Sequence, residues 1–168
     1  ALDLSGIAKG YGVDRLAEIA AQFGIAQALC AIDGEVRAIG TRRSGRPWAV
    51  GIDMPDEKAT GQHSTLALED MAVATSGDYR HFVTGAATRL SHTIDPRRGA
   101  PLVTPPASVT VLSHSCMLAD AMATALMVMG DGPGSSFAKA HAISALFLRR
   151  SLGGTVAIGT GDFAATSE

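Results

Sequence analysis

Cysteine, aromatic residues and formal charge are all scarce in this chain. The only cysteines are Cys30 and Cys116, which follow no metal-ligand or redox spacing; a single disulfide between them stays open but would not define an oxidising compartment. Cys30 lies in the apolar run Ala28-Leu29-Cys30-Ala31-Ile32 and reads as a small buried hydrophobe. Charged residues are 18% of the chain and the formal net charge is −2. The basic residues cluster only as short pairs, Arg42-Arg43, Arg97-Arg98 and Arg149-Arg150. No cationic stripe lines a groove, so nucleic acid is not expected as a partner. No apolar run is long enough to span a membrane as a helix. What the chain does have is apolar bulk, 46% of its 168 residues. That suffices for one domain, expected over 1–168, burying roughly two thirds of its unfolded surface, and is the reverse of a disordered composition.

The opening, Ala1-Leu2-Asp3-Leu4-Ser5-Gly6, reads as a strand running straight into a helix with no leader before it. Domains rarely begin inside a motif, so a further N-terminal portion is expected. Ile7, Tyr11, Leu16, Ala20 and Phe23 recur at helical spacing and Gly24 supplies a stop. Leu29 to Ile32 and Val36 to Ile39 make a hairpin across Asp33-Gly34. Trp48 to Ile52 is a third strand, and residues 53–63 read as a loop. Short strands are expected at Thr65 to Leu68 and Ala72 to Thr75, with a turn at Ser76-Gly77-Asp78. Tyr79 to Val83 pairs with Arg89 to Ile94 across Gly85, and Asp95 to Gly99 turns. Ser108 to Leu112 is a strand, Met117 to Met129 an apolar helix, and 135–142 a short helix. Strands at Ala145 to Leu148 and Thr155 to Ile158 precede a frayed tail, Ala164 to Glu168. Hairpins with interspersed helices, without regular strand–helix alternation, indicate an α+β domain: a mostly antiparallel sheet covered by helices.

Five segments carry chemistry. Asp120 and Thr124 stand four apart among alanines and methionines and share a helix face. A carboxylate there either caps its own helix or binds a hard cation, Mg²⁺ or Ca²⁺, which oxygen ligands suit. Asp3 to Gly10 ends in small residues before a helix, where free N–H groups and Lys9 can meet a phosphate; the plainer reading is a turn with a solvated lysine. In Ser91-His92-Thr93-Ile94-Asp95-Pro96, His92 and Ile94 would share one face of a strand. His92 is then either a proton acceptor or a structural histidine, and the structural reading also covers His63, His81, His114 and His141. Ala72 to Tyr79 reads as a strand and turn, or as a loop that a flat ring approaches. Asp33-Gly34-Glu35 serves as a hairpin turn, or its glycine admits a ligand close to the backbone.

The ordered series Asp3-Leu4-Ser5-Gly6-Ile7-Ala8-Lys9-Gly10-Tyr11, Asp33 to Gly40, Ala72 to Tyr79, Ser91 to Pro96 with Arg97 and Gly99, and Asp120 to Leu126 closely resembles the FAD:protein FMN transferase (ApbE) family, from residue 2 to about residue 130. The resemblance implies a T-fold-like architecture, FAD as substrate, Mg²⁺ as metal, and transfer of FMN to a Thr or Ser of an acceptor protein with release of AMP. It implies Gly6, Asp120, Ala123 and Thr124 as metal ligands, and Asp3, Lys9, Gly34, Ser76 and Ile94 at the flavin dinucleotide. His92, or alternatively Asp95, would accept the hydroxyl proton. The series departs from the family at Asp33-Gly34-Glu35, where Gly-Gly-Asp or Gly-Gly-Glu is usual. Family members are longer and carry an N-terminal region that completes the FAD pocket, so that region, or a second copy of the chain, is a further expected partner. An FAD-binding or FAD-hydrolysing domain without transfer is the alternative. The compartment implied is the bacterial periplasm or a membrane surface.

Overall fold

The computed structural model describes residues 3–55, 61–78, 82–84, 89–152 and 154–166. Tyr79, His81, Gly85 and residues 56–60, all parts of expected elements, lie outside them, as does the end of the tail. In chain order the elements are α1 (Ala8–Gln22), β1 (Ala28–Ile32), β2 (Glu35–Ile39), β3 (Trp48–Asp53), β4 (Gln62–Leu68), β5 (Ala72–Gly77), β6 (Phe82–Thr84), β7 (Arg89–Ser91), β8 (Ile94–Asp95), β9 (Ala100–Pro101), β10 (Ser108–Ser113), α2 (Cys116–Met129), α3 (Asp131–Ala140), β11 (Ser144–Ser151), β12 (Gly154–Thr160) and a closing 3₁₀ helix (Gly161–Thr166). Strand pairs β1/β2, β2/β5, β3/β4, β6/β7, β8/β9 and β11/β12 are all antiparallel. The class is therefore the expected α+β. No described helix is long and apolar enough to cross a membrane.

The chain divides into two compact units, one of Ala1–Met54, Gly61–Thr75 and Val111–Met122, the other of Pro55–Thr60, Ser76–Thr110 and Ala123–Glu168. In the first, strands run in the order β1-β2-β5. The β1–β2 turn places Asp33 at φ 47° and Gly34 at φ 105°, the pair of positive angles that a two-residue hairpin of type I′ requires. Val36, Ala38, Leu68 and Val73 are buried together under Trp48, Val50 and Leu66. A second cluster joins Val13 of α1, Ala72 of β5 and Cys116 of α2. In the second unit, Leu146, Phe147 and Leu148 of β11 are fully buried. The Thr160 hydroxyl donates to the Ile143 carbonyl at 2.7 Å and accepts the Ala145 N–H at 3.1 Å, locking the start of β11 to the end of β12.

The structure corrects several expectations. Residues 3–7 form no strand: the Asp3 carboxylate accepts the Ser5 N–H at 2.8 Å and its hydroxyl at 2.5 Å, and the Leu4 carbonyl accepts the N–H groups of Ile7 and Ala8. Helix α1 buries Gly10, Val13, Asp14 and Ala17, leaving Tyr11, Leu16, Ile19 and Phe23 exposed. The large apolar residues thus lie on the outer face, because the inner one admits another helix at a glycine. Ser76 and Gly77 finish β5 instead of turning. The tail is ordered through Thr166 by the 3₁₀ helix, whose Phe163 is buried. Helix α3 starts four residues early, at Asp131, after Gly130 takes φ 81°.

Candidate functional site

Within the first unit, α1 and the first half of α2 cap each other. The Gly10 N–H belongs to the first turn of α1, where no carbonyl of the same helix is due to accept it. It donates instead to Asp120 Oδ2 of α2 at 2.9 Å. In return, Asp14 of α1 accepts the Cys116 N–H on Oδ1 at 2.9 Å and the Met117 N–H on Oδ2 at 3.0 Å, at the start of α2. The Ser115 hydroxyl and the Arg37 guanidinium also donate to Asp14, at 2.8 and 2.6 Å. Burial alone would raise the Asp14 carboxyl, but these four donors outweigh it and hold it below its ordinary value. Gly10 makes the crossing possible: a Cβ there would collide with the Cys116 carbonyl oxygen and sit 2.7 Å from its carbon and 2.8 Å from Asp120 Cβ.

The expectation that Asp120 caps its own helix is therefore not met. It is the fifth residue of α2, 4% exposed, and caps α1. Burial pushes its carboxyl above its ordinary value, while the Gly10 N–H and the charge of Lys9 pull it back. The expected N–H cradle at the α1 N-terminus is partly occupied too, since the Ala8 N–H goes to Leu4 and the Gly10 N–H to Asp120.

Lys9 extends from the same turn, half exposed. Its Nζ lies 3.0 Å from Glu35 Oε1 and 3.8 Å from the exposed Asp33. Glu35 opens β2 and is 1% exposed. Its Oε2 is buried with no hydrogen-bond partner among the described residues. Burial raises the Glu35 carboxyl, Lys9 lowers it by hydrogen bond and charge, and the charge of Asp120 adds to the rise. Lys9 thus pairs directly with the buried Glu35, and the buried Asp120 acts on both only through its charge. Sequence reasoning assigns Glu35 no role beyond its place in the Asp33-Gly34-Glu35 turn; the available signal was an acidic residue opening a strand that buries its neighbour Val36.

Asp3, Gly6, Lys9, Gly34 and Asp120 belong to the first unit, and Ser76, His92, Ile94, Asp95, Ala123 and Thr124 to the second. In the second unit the hydroxyls of Ser76 and Thr124 are 2.9 Å apart. Ala123 is fully buried beside Thr124 on α2. His92 is exposed and lies in a bend between β7 and β8, so it does not share a strand face with Ile94. The Ser91 hydroxyl breaks the strand there by accepting the Thr93 N–H at 3.2 Å. Ile94 is 49% exposed. Asp95 shapes its own turn: its carboxylate accepts the Arg97 N–H at 2.9 Å and its carbonyl those of Arg98 and Gly99. Gly34 is exposed, and a Cβ on it would meet nothing within 4 Å, so its positive φ alone calls for glycine.

No group of three or more His, Cys, Asp or Glu able to hold a metal occurs among the described residues. A cation at Asp120 would therefore draw on hydroxyl, carbonyl and water oxygens, a donor set that suits Mg²⁺. The fit is electrostatic as well: a divalent ion would offset the buried Asp120 carboxylate, which the Gly10 N–H and the charge of Lys9 balance only in part.

Comparison with known proteins bears on this arrangement. The model of the ApbE family matches residues 1–147. An FAD:protein FMN transferase of Vibrio cholerae is 43% identical over 147 residues, covering 88% of this chain and 44% of that protein. One from Haemophilus influenzae is 36% identical over 158 residues, covering 92% and 45%. The crystal structure of the flavinyl transferase ApbE of Pseudomonas stutzeri, in its apo form, superposes with a TM-score of 0.85 at 37% identity, over 99% of this chain and 51% of that one. The chain thus spans about half the length of the relatives it matches.

Proposed function

This chain belongs to the ApbE family, and we propose that it works in an FAD:protein FMN transferase, moving FMN from FAD onto a Thr or Ser hydroxyl of an acceptor protein and releasing AMP. The observation that carries this reading is the buried Glu35 carboxylate paired with Lys9 at 3.0 Å, with a second buried carboxylate, Asp120, close enough for its charge to act on Glu35. Such a cluster calls for a cation, and Lys9 beside it presents a mobile positive charge to a phosphate.

In this reading Asp120 and the Gly6 carbonyl would hold Mg²⁺ together with the Ala123 carbonyl and Thr124, three and four residues farther along α2. Once bound, the ion supplies charge against a pyrophosphate that is being attacked by an oxygen nucleophile. Lys9 holds the pyrophosphate, with Asp3 and Gly34 bordering it. Ser76 and the half-exposed Ile94 face the flavin. The acceptor oxygen forms a bond to the FMN phosphorus, the bond from that phosphorus to the bridging oxygen breaks, and AMP leaves with that oxygen. The hydroxyl proton passes to His92, a role worth about 10²–10⁴-fold. His92 is preferred over Asp95, whose carboxylate is committed to its own turn.

The test is to incubate the protein with FAD, Mg²⁺ and a flavin-accepting protein, alone and with the polypeptide that completes a full-length relative. AMP together with an acceptor heavier by FMN is the expected result. AMP with free FMN would mean hydrolysis, and bound but intact FAD would mean a binding domain; either contradicts transfer.

A further inference from the structure

Glu35 touches neither the metal nor the FAD in this reading. It is 1% exposed, its Oε2 has no hydrogen-bond partner among the described residues, and its Oε1 lies 3.0 Å from Lys9 Nζ. The ammonium that would meet a phosphate is therefore already engaged by a carboxylate that cannot reach water. Withdrawing Lys9 toward an anion would strand that carboxylate in a buried site, which is costly. Asp33, 3.8 Å from the same ammonium, adds negative charge, and so does the buried Asp120, whose carboxyl the charge of Lys9 pulls down. A bare anion arriving at Lys9 meets three carboxylates for one ammonium.

We propose that Glu35 is a specificity-determining residue that neutralises Lys9, so that this site accepts a pyrophosphate-bearing ligand only as its divalent-cation complex and turns away the free anion. The inference rests on the reading of Lys9 as a phosphate contact and deepens it. Lys9 gives reach and direction, Glu35 removes its attraction for an uncomplexed phosphate, and the attraction returns when a cation balances the carboxylates. Free phosphates and unmetallated nucleotides are thereby kept from the site.

The test is calorimetric titration of inorganic pyrophosphate into the full chain, in EDTA and in Mg²⁺, for the wild type, Glu35→Gln and Glu35→Gln/Lys9→Met. Glu35→Met, which keeps apolar bulk without charge, is the second variant should Gln fold poorly. The wild type is expected to bind only with Mg²⁺. Removing the Glu35 charge is expected to strengthen metal-free binding by about tenfold or more, the scale of one carboxylate a few ångströms away at partial exposure, and Lys9→Met is expected to abolish that gain. Metal-free affinity unchanged or weakened by loss of Glu35, or wild-type binding that is equal with and without Mg²⁺, would overturn the proposal. So would no pyrophosphate binding in either condition. Magnesium pyrophosphate bound with this Glu35 dependence, but FAD refused, would instead support the role of Glu35 and refute the flavin reading.

Discussion

Asp120 of α2 accepts the Gly10 N–H of α1 at 2.9 Å, and this bond ties the candidate cation ligand to the backbone turn that carries Lys9. Asp14 returns the contact by accepting the first N–H groups of α2. The two helices therefore fix each other's ends, and the site inherits its geometry from that exchange.

The exchange depends on a bare Cα at position 10. Gly10→Ala is expected to destabilise the protein by roughly 1–3 kcal/mol, the usual cost of overpacking a tight contact, because the atoms to be displaced are backbone of α2. Thermal melts would show a fall of roughly 2–4 °C per kcal/mol in a chain of this size. An unchanged melting temperature would mean that the helices separate freely.

Asp14 predicts a pH dependence. Its folded carboxyl lies below the ordinary value of 3.8, so its contribution is fully present above that pH and is lost as pH falls through the lowered value. Asp14→Asn should lower stability by a constant amount, roughly 2–4 kcal/mol for a buried pair losing its charged acceptor, at pH 7 and pH 5. The gap between wild type and variant should narrow only below about pH 4. Urea unfolding at several pH values reads this directly; a gap that grows on acidification would refute the assignment.

Much of this exchange is hidden from a reading of the sequence, because it is non-local. The Asp33-Gly34 turn is legible, since its two positive φ angles need those residue types. The apolar stretch of α2 and the β-branched β10 are legible from composition. The buried face of α1 is not, because Tyr11, Leu16 and Phe23 suggest the opposite side and nothing nearby marks Asp14 as a cap for a helix a hundred residues away. Asp120 stands out by its apolar surroundings, yet which helix it caps depends on Gly10. The bend at His92 depends on a bond from Thr93 to Ser91 that alternation cannot foretell.

Cys116 should be inert in the folded state. It is fully buried, and burial together with the charges of Asp14, Glu35 and Asp120 pushes its thiol up to about 12. Native protein is expected to yield at most one thiol, Cys30, to an alkylating reagent at neutral pH, and two after denaturation. Rapid native labelling of Cys116 would show that the α1–α2 junction opens.

Asp120→Asn separates folding from function. The amide oxygen can still accept the Gly10 N–H, and the variant no longer buries a charge whose carboxyl sits above its ordinary value. Wild-type stability should therefore fall as pH rises through that raised value, and the variant should lack this component. At neutral pH the variant is expected to match or exceed the wild type in thermal stability without metal. Strong destabilisation by Asn would mean that the carboxylate is structural.

The most direct measurement is flavin fluorescence during titration of the protein into FAD, with and without Mg²⁺, for the wild type and Asp120→Asn. The account predicts metal-dependent binding by the wild type and its loss in the equally stable variant, placing flavin and cation at one site. Binding that ignores both Mg²⁺ and Asp120 would contradict it.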